Sequence, residues 1–162
     1  MIVSNFLKQQ AQANNFTIFD TIYGEIQLSN PQCRITQSSG STYGIWIELN
    51  NNNIKNALMS DLKKCGKNVN PNPNAIHLDW YPLYWGRDIH PGSRIKAHVN
   101  TSSNTGGLNL SQLNLSENYH IKYGVILVSD YSKFELFLHQ NFPPIVLSSS
   151  TPGKVSTASI LH

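Results

Sequence analysis

Tyr84, Arg87, Arg94 and His98 fall within one short run of the chain, YPLYWGRDIHPGSRIKAH from Tyr81 to His98. A phenol, two guanidiniums and an imidazole in that order suit the binding and cleavage of a phosphodiester. Arg grips phosphate oxygens in a two-pronged fork, and Tyr or His relays a proton. Tyr84 taken alone reads as a packing aromatic, and a lone Arg as a solvated charge. The register of Arg94 with Tyr84, and of His98 with Arg94, lifts them above that default. Arg87 is a weaker candidate for a phosphate contact, because a strand-end charge is as readily solvated.

The elements around these residues must hold them. Tyr81, Leu83 and Trp85 alternate with Pro82, Tyr84 and Gly86, which predicts a strand with aromatics on a half-buried surface. His90-Pro91-Gly92 reads as a turn. Ser93 then caps a short helix on which Arg94 and His98 share one face at i and i+4. Upstream, helical spacing predicts a helix over Ser4 to Asn15, and Phe16 to Leu28 reads as one bent strand or two short ones. Cys33 to Gln37 reads as a short strand. Thr42 to Leu49 is the next strand, followed by a helix that Asn50 to Asn53 cap and Gly66 ends. Leu108 to Leu115 fits either strand or helix. His120 to Ser129 has the continuous apolar run of a buried strand. Asp130 is a candidate cap for a helix over Tyr131 to Asn141, which Pro143-Pro144 terminates. The tail has room for an edge strand over Val155 to Ile160.

Tyr84-Trp85-Gly86, with Arg94 eight residues after the glycine and His98 four further on, resembles the second half of the GIY-YIG nuclease signature. Gly44-Ile45-Trp46 stands where the family carries Gly-Ile-Tyr. An indole N–H donates a hydrogen bond but cannot act as a base, so Trp46 departs from the tyrosine that helps activate water. Strand alternation puts Tyr43 on the face opposite Trp46. Glu135, in SKFELFLHQNFPP, corresponds to the family's helical glutamate that holds one divalent metal. It is the one carboxylate among Phe134, Leu136, Phe137 and Leu138. The asparagine that often follows the family's closing proline is absent from Pro144-Ile145-Val146.

The resemblance implies an α/β (α+β) fold in one domain, a small central β-sheet flanked by helices. Residues 42–145 form its core, 1–41 an N-terminal extension and 146–162 a tail. It implies a metal-dependent DNA endonuclease, most similar to restriction-type members. The catalytic set would be Tyr84, Arg94, His98, Glu135 and the Trp46 position. Glu135 would carry Mg²⁺ or Mn²⁺, since one hard carboxylate with retained water suits those ions. Gly86, Arg87, Lys63, Lys64 and Lys67 are the expected contacts to double-stranded DNA. Palindromic cutting would call for a homodimer. The alternative, favoured by Trp46, is a catalytically inactive relative that binds nucleic acid or a protein partner.

Bulk properties bound these readings. A chain of 162 residues with 40% hydrophobic content is long enough to bury one substantial core. A net charge of +3 with 13% charged residues is compatible with a nucleic-acid partner without demanding one. Two cysteines outside any CxxC point to reduced thiols and a cytoplasmic setting. MIVSNFLKQQ lacks the apolar run of a signal peptide, and no stretch has the length of a membrane span. His77, His90, His120 and His139 form no HxH or HExxH pattern and receive no metal.

Overall fold

The computed structural model describes residues 2–25, 40–88, 110 and 119–148. The expected helix bearing Arg94 and His98 lies outside these residues. So do the expected strand at Cys33 to Gln37, most of Leu108 to Leu115 and the C-terminal edge strand.

Local stop signals set the helices. Helix α1 spans Ile2–Ala13, two residues earlier than its apolar spacing suggests at either end. Asn15 takes a left-handed conformation, φ 63°. Phe16 N–H then donates to the Ala11 carbonyl at 2.9 Å and Asn15 N–H to Gln12 at 3.3 Å, the paired bonds of a Schellman stop. Helix α2, Asn52–Lys64, starts at Asn51, whose side chain accepts from Ile54 N–H at 2.9 Å. It ends at Gly66 in the same way, with Lys67 N–H donating to Leu62 and Gly66 N–H to Lys63, both at 3.0 Å. Helix α3 is Tyr131–Asn141, with the predicted bounds. Asp130 does not cap it through its side chain. Its backbone is left-handed, φ 51°, and its carbonyl accepts from Lys133 and Phe134 N–H. Aspartate suits that position because it tolerates the left-handed turn out of the preceding strand.

The strands are β1 (Ile18–Glu25), β2 (Ser41–Glu48), β3 (Trp80–Asp88) and β4 (Ile121–Val128). They form one antiparallel sheet in the order β1-β4-β2-β3, so the fold is α+β: a small central sheet flanked by helices. The central strands β2 and β4 are buried on both faces, which explains their near-continuous apolar sequences. Residues ahead of Thr42 are integral to this sheet. β1 adds a strand beside β4, and α1 lays Val3, Leu7 and Ala11 on the sheet.

Each face of the sheet carries its own core. On one side Tyr43, Ile45, Ile47, Leu83, Tyr123 and Val125 meet Leu58 and Leu62 of α2. Ile145 and Val146 complete that core. Their N–H groups donate to Pro82 and Leu83 carbonyls at 2.8 and 3.0 Å, so the segment after α3 is fastened to β3. On the other side Trp46, Trp85, Ile126 and Val128 meet α1 together with Phe134 and Leu138 of α3.

Glycine and aromatic residues face each other across the strands. Gly44 pairs with Trp85, Tyr43 with Gly86, and Gly24 with Tyr123. In each pair the ring lies where a glycine side chain would be. A Cβ on Gly44 would sit 2.3 Å from the Trp85 ring, and one on Gly86 2.3 Å from the Tyr43 ring. Trp85 cannot retreat, because it is fully buried and its Nε1 donates to the Phe142 carbonyl at 2.7 Å. Gly44→Ala is therefore expected to destabilise the fold by about 1–3 kcal/mol through overpacking. Urea unfolding should show a lower midpoint at an unchanged slope; an unshifted midpoint would show that Trp85 moves freely.

Candidate active site

Tyr84 shares the face of Tyr43 by regular alternation, next to a bulge. Ile45 pairs with Tyr84 and the next residue, Trp46, pairs with Pro82, which leaves Leu83 unmatched in β3. Leu83 and Tyr84 consequently both pack on the α2 side, and Trp85 returns to the α1 and α3 side. Tyr43 packs on the same side as Tyr84. Their rings are 6.2 Å apart between centroids and inclined by 28°. Gly86 lies beneath the Tyr43 ring, and the bare backbone there lets the phenol settle on the strand. Tyr43 of β2 and Tyr84 of β3 thus sit together on one face, and β3 precedes in sequence the segment that contains Arg94 and His98.

Tyr43 is the residue that sequence reasoning passed over. Alternation does place it opposite Trp46, as expected. It is Trp46 that stands apart from Tyr84: the indole is fully buried on the far face of the sheet, edge-on to Phe6 at 5.4 Å. The signal for Tyr43 was present in its pairing partner, since a tyrosine opposite the glycine of Tyr-x-Gly has room to lie over it.

Glu135 lies on α3, 5% exposed. Two side-chain and backbone bonds pin that helix. Thr42 Oγ1 donates to the Tyr131 carbonyl at 2.8 Å near its start, and Trp85 reaches Phe142 just past its end. One turn after Glu135, His139 is fully buried. Its Nε2 is 3.7 Å from Glu135 Oε1 and 3.4 Å from Ser148 Oγ. Serine, histidine and glutamate in contact invite comparison with a nucleophilic triad. Here both partners approach the same ring nitrogen, whereas a relay needs one on each nitrogen. His139 is the second residue missed from sequence; its spacing of four from Glu135 on one helix was the available sign.

Burial lowers the His139 pKa from 6.5 to about 4 and outweighs the backbone hydrogen bond at Trp85, which acts the other way. The ring is therefore neutral at neutral pH, and its contact with Glu135 is not an ion pair there.

The remaining expected residues are dispersed. Arg87 is exposed on β3, and Asp88 ends that strand with its carbonyl accepting from Ser41 Oγ at 3.2 Å. Lys63 and Lys64 are exposed in the last turn of α2, with Lys67 half-buried just beyond. That helix packs on the face that holds Tyr43 and Tyr84. Glu135 belongs to the helix on the opposite face, one strand residue away through the contact of His139 with Trp85. Arg94 and His98 lie outside the described residues. Among the described residues no three His, Cys, Asp or Glu side chains cluster as a metal site, and no helix is long and apolar enough to cross a membrane.

Comparison with protein-family models, curated proteins and solved structures returns no match to this chain.

The buried imidazole makes a pH prediction. Between pH 6.5 and about 4 the unfolded chain binds a proton at His139 that the folded chain refuses. Stability from this group is complete above 6.5, falls as the pH drops towards about 4, and changes no further below that. The full effect is about 3 kcal/mol. Urea midpoints for wild type and His139→Gln at several pH values across that window should converge as the pH falls. Parallel curves would mean that another group carries the acid sensitivity.

Proposed function

We propose that this protein is a metal-dependent endonuclease that hydrolyses phosphodiester bonds in double-stranded DNA, of restriction type. The observation that carries the reading is the stacking of Tyr84 with Tyr43, whose ring lies over Gly86. It supports a site with two phenols at the strand end that leads into Arg94 and His98. Tyr43 offers the hydroxyl that Trp46 lacks.

The roles follow from the chemistry of each side chain. Arg94 grips the scissile phosphate in a bidentate fork. Tyr84, with Tyr43 beside it, orients the attacking water, and His98 takes its proton. Gly86 makes room for the Tyr43 ring rather than for a phosphate, and the exposed Arg87 beside it adds a phosphate contact. Lys63, Lys64 and Lys67 stand on the same side of the sheet as the tyrosine pair and suit the DNA backbone. Glu135 is the residue that would hold Mg²⁺ or Mn²⁺. Its carboxylate is the hard oxygen donor these ions take, whereas the adjoining His139 imidazole is a nitrogen donor outside that set, and the burial of both side chains leaves little room for water to complete a shell. Such an ion would supply charge stabilisation at a leaving oxygen, but Glu135 stands on the sheet face opposite Tyr43 and Tyr84, which favours the second reading below. Two copies related by a two-fold axis would cut both strands of a palindrome. The exposed, free Cys65 suits a reducing, cytoplasmic setting.

A second reading has its own support. Trp46 is sealed in the core on the face away from Tyr84, and Glu135 is nearly closed off from solvent. Both features suit a catalytically inactive relative that binds nucleic acid or a protein partner.

Plasmid and unmethylated phage DNA incubated with Mg²⁺, Mn²⁺ or EDTA separate the two. Discrete metal-dependent fragments are expected from wild type. Arg94→Ala and Glu135→Ala should each lower the rate at least ~100-fold, and Tyr43→Phe and Tyr84→Phe ~10–100-fold. Full activity in Arg94→Ala would remove the phosphate clamp from the mechanism. Intact DNA throughout, with salt-sensitive binding, would establish the inactive reading.

A further inference from the structure

Helix α2 is held to the sheet by one narrow stripe. Leu58 and Leu62 are its fully buried residues, and Ile54 packs beside them. At about 100° per residue, the arc opposite that stripe carries Asn53, Asn56, Ala57, Ser60, Lys63 and Lys64, all exposed. Asp61 is the only carboxylate of the helix and stands at the edge of that arc. It lies toward Tyr119, whose phenol pKa is raised by burial first and by the Asp61 carboxylate second. The first turn of α2 holds no acidic residue, and the last holds Lys63 and Lys64.

A helix face that meets only water gains from strong helix formers and from Glu–Lys pairs at i and i+4. Helix α2 has no glutamate, and its exposed Asn52, Asn53 and Asn56 are weak helix formers. What the face does offer is a row of small, uncharged hydrogen-bonding groups with cations at one end. The major groove of B-DNA admits an α-helix. There a carboxamide makes two bonds at once with adenine, accepting from N6 and donating to N7. Serine bonds to either base of a pair, and an alanine methyl meets the thymine methyl. Asn53 and Ser60 are about 10.5 Å apart along the helix axis, which is about three base-pair steps of about 3.4 Å.

We propose that α2 is the sequence-reading helix of this protein, seated in the major groove with Asn53 and Asn56 each bonded to an adenine. The inference rests on the reading above of a protein that acts on double-stranded DNA, and it adds which bases are selected: at least two A·T pairs within a stretch of three or four. Ser60 adds a bond to a neighbouring base edge. Lys63 and Lys64 meet the phosphates that flank the groove, where they hold the helix in register without reading sequence. The arc opposite Leu58 and Leu62 carries no carboxylate to repel those phosphates, since Asp61 lies at its edge toward Tyr119. Helix α2 packs on the sheet face that holds Tyr43 and Tyr84, so a duplex on this helix lies on the side of the tyrosine pair.

The test is selection from a randomised duplex library by the full chain in EDTA, so that binding is read without cleavage. Wild type is expected to enrich a site with adenines at two fixed positions. Asn53→Ala/Asn56→Ala should lose the preference at those two positions roughly tenfold or more, with an unchanged salt dependence. Lys63→Ala/Lys64→Ala should keep the selected sequence and lower the salt slope by about 2. Alanine is the strongest helix former, so the asparagine variant should unfold at or above the wild-type urea midpoint. An unchanged selected sequence in that variant overturns the assignment of α2 and leaves the DNA reading intact. So does wild-type binding that selects no sequence. Failure of wild type to retain any duplex at low salt overturns the DNA reading itself, and this inference with it.

Discussion

Two rings laid over two glycines hold β2 against β3, and the rest of the molecule is arranged around that contact. Trp85 covers Gly44 on one face, and Tyr43 covers Gly86 on the other. The arrangement is reciprocal: each strand supplies one ring and one bare α-carbon. Neither glycine can gain a side chain without displacing a packed ring. The strand pair is thereby locked in register as well as hydrogen-bonded, since a slip of one residue would set ring against side chain. The bulge next to this locked pair brings Leu83 to the side that Tyr43 and Tyr84 already share by alternation.

The sheet therefore has two chemically distinct faces. The α2 side holds the two phenols, and the lysines of α2 lie on the same side. The α1 side holds Trp46 and Trp85. Gly44-Ile45-Trp46 and Tyr84-Trp85-Gly86 lie on neighbouring strands, yet Trp46 and Tyr84 point away from each other. Their separation is a matter of parity in a pleated sheet, and the neighbouring Tyr43 has the parity that Trp46 lacks.

Helix α3 brings two ionisable side chains into a place that would otherwise be apolar. Its position is set by Thr42 at one end and by Trp85 at the other, the residues next to Tyr43 and Tyr84 in sequence. Glu135 and His139 are carried in with Phe134 and Leu138, whose burial is the driving force. Desolvation then decides the state of the imidazole: withdrawn from water, it stays neutral far below its usual range. Glu135 and the motif strand are thus coupled through the packing of one helix, although they occupy different sides of the sheet.

Much of this architecture is written locally. The stop at Gly66, the cap at Asn51, the bounds of α3 and the buried run of β4 follow from side-chain periodicity and from backbone preferences that act over a few residues. The strand that carries Tyr84 was legible for the same reason, since its alternation lies within a few residues. Pairing was not legible. Which residue lies opposite which depends on strand order, and the bulge at Leu83 changes the face of a side chain without leaving a mark in the alternation around it. The cap expected of Asp130 failed because the turn out of β4 claimed its backbone first. By itself, then, the sequence determined the strands of the described sheet, the cap and stop of α2 and the bounds of α3, because these depend on neighbours along the chain. Only the tertiary structure decided that Tyr43 rather than Trp46 accompanies Tyr84, that His139 is buried against Glu135, and that the Trp46 N–H is buried with no acceptor among the described residues. Each depends on contacts between residues far apart in sequence.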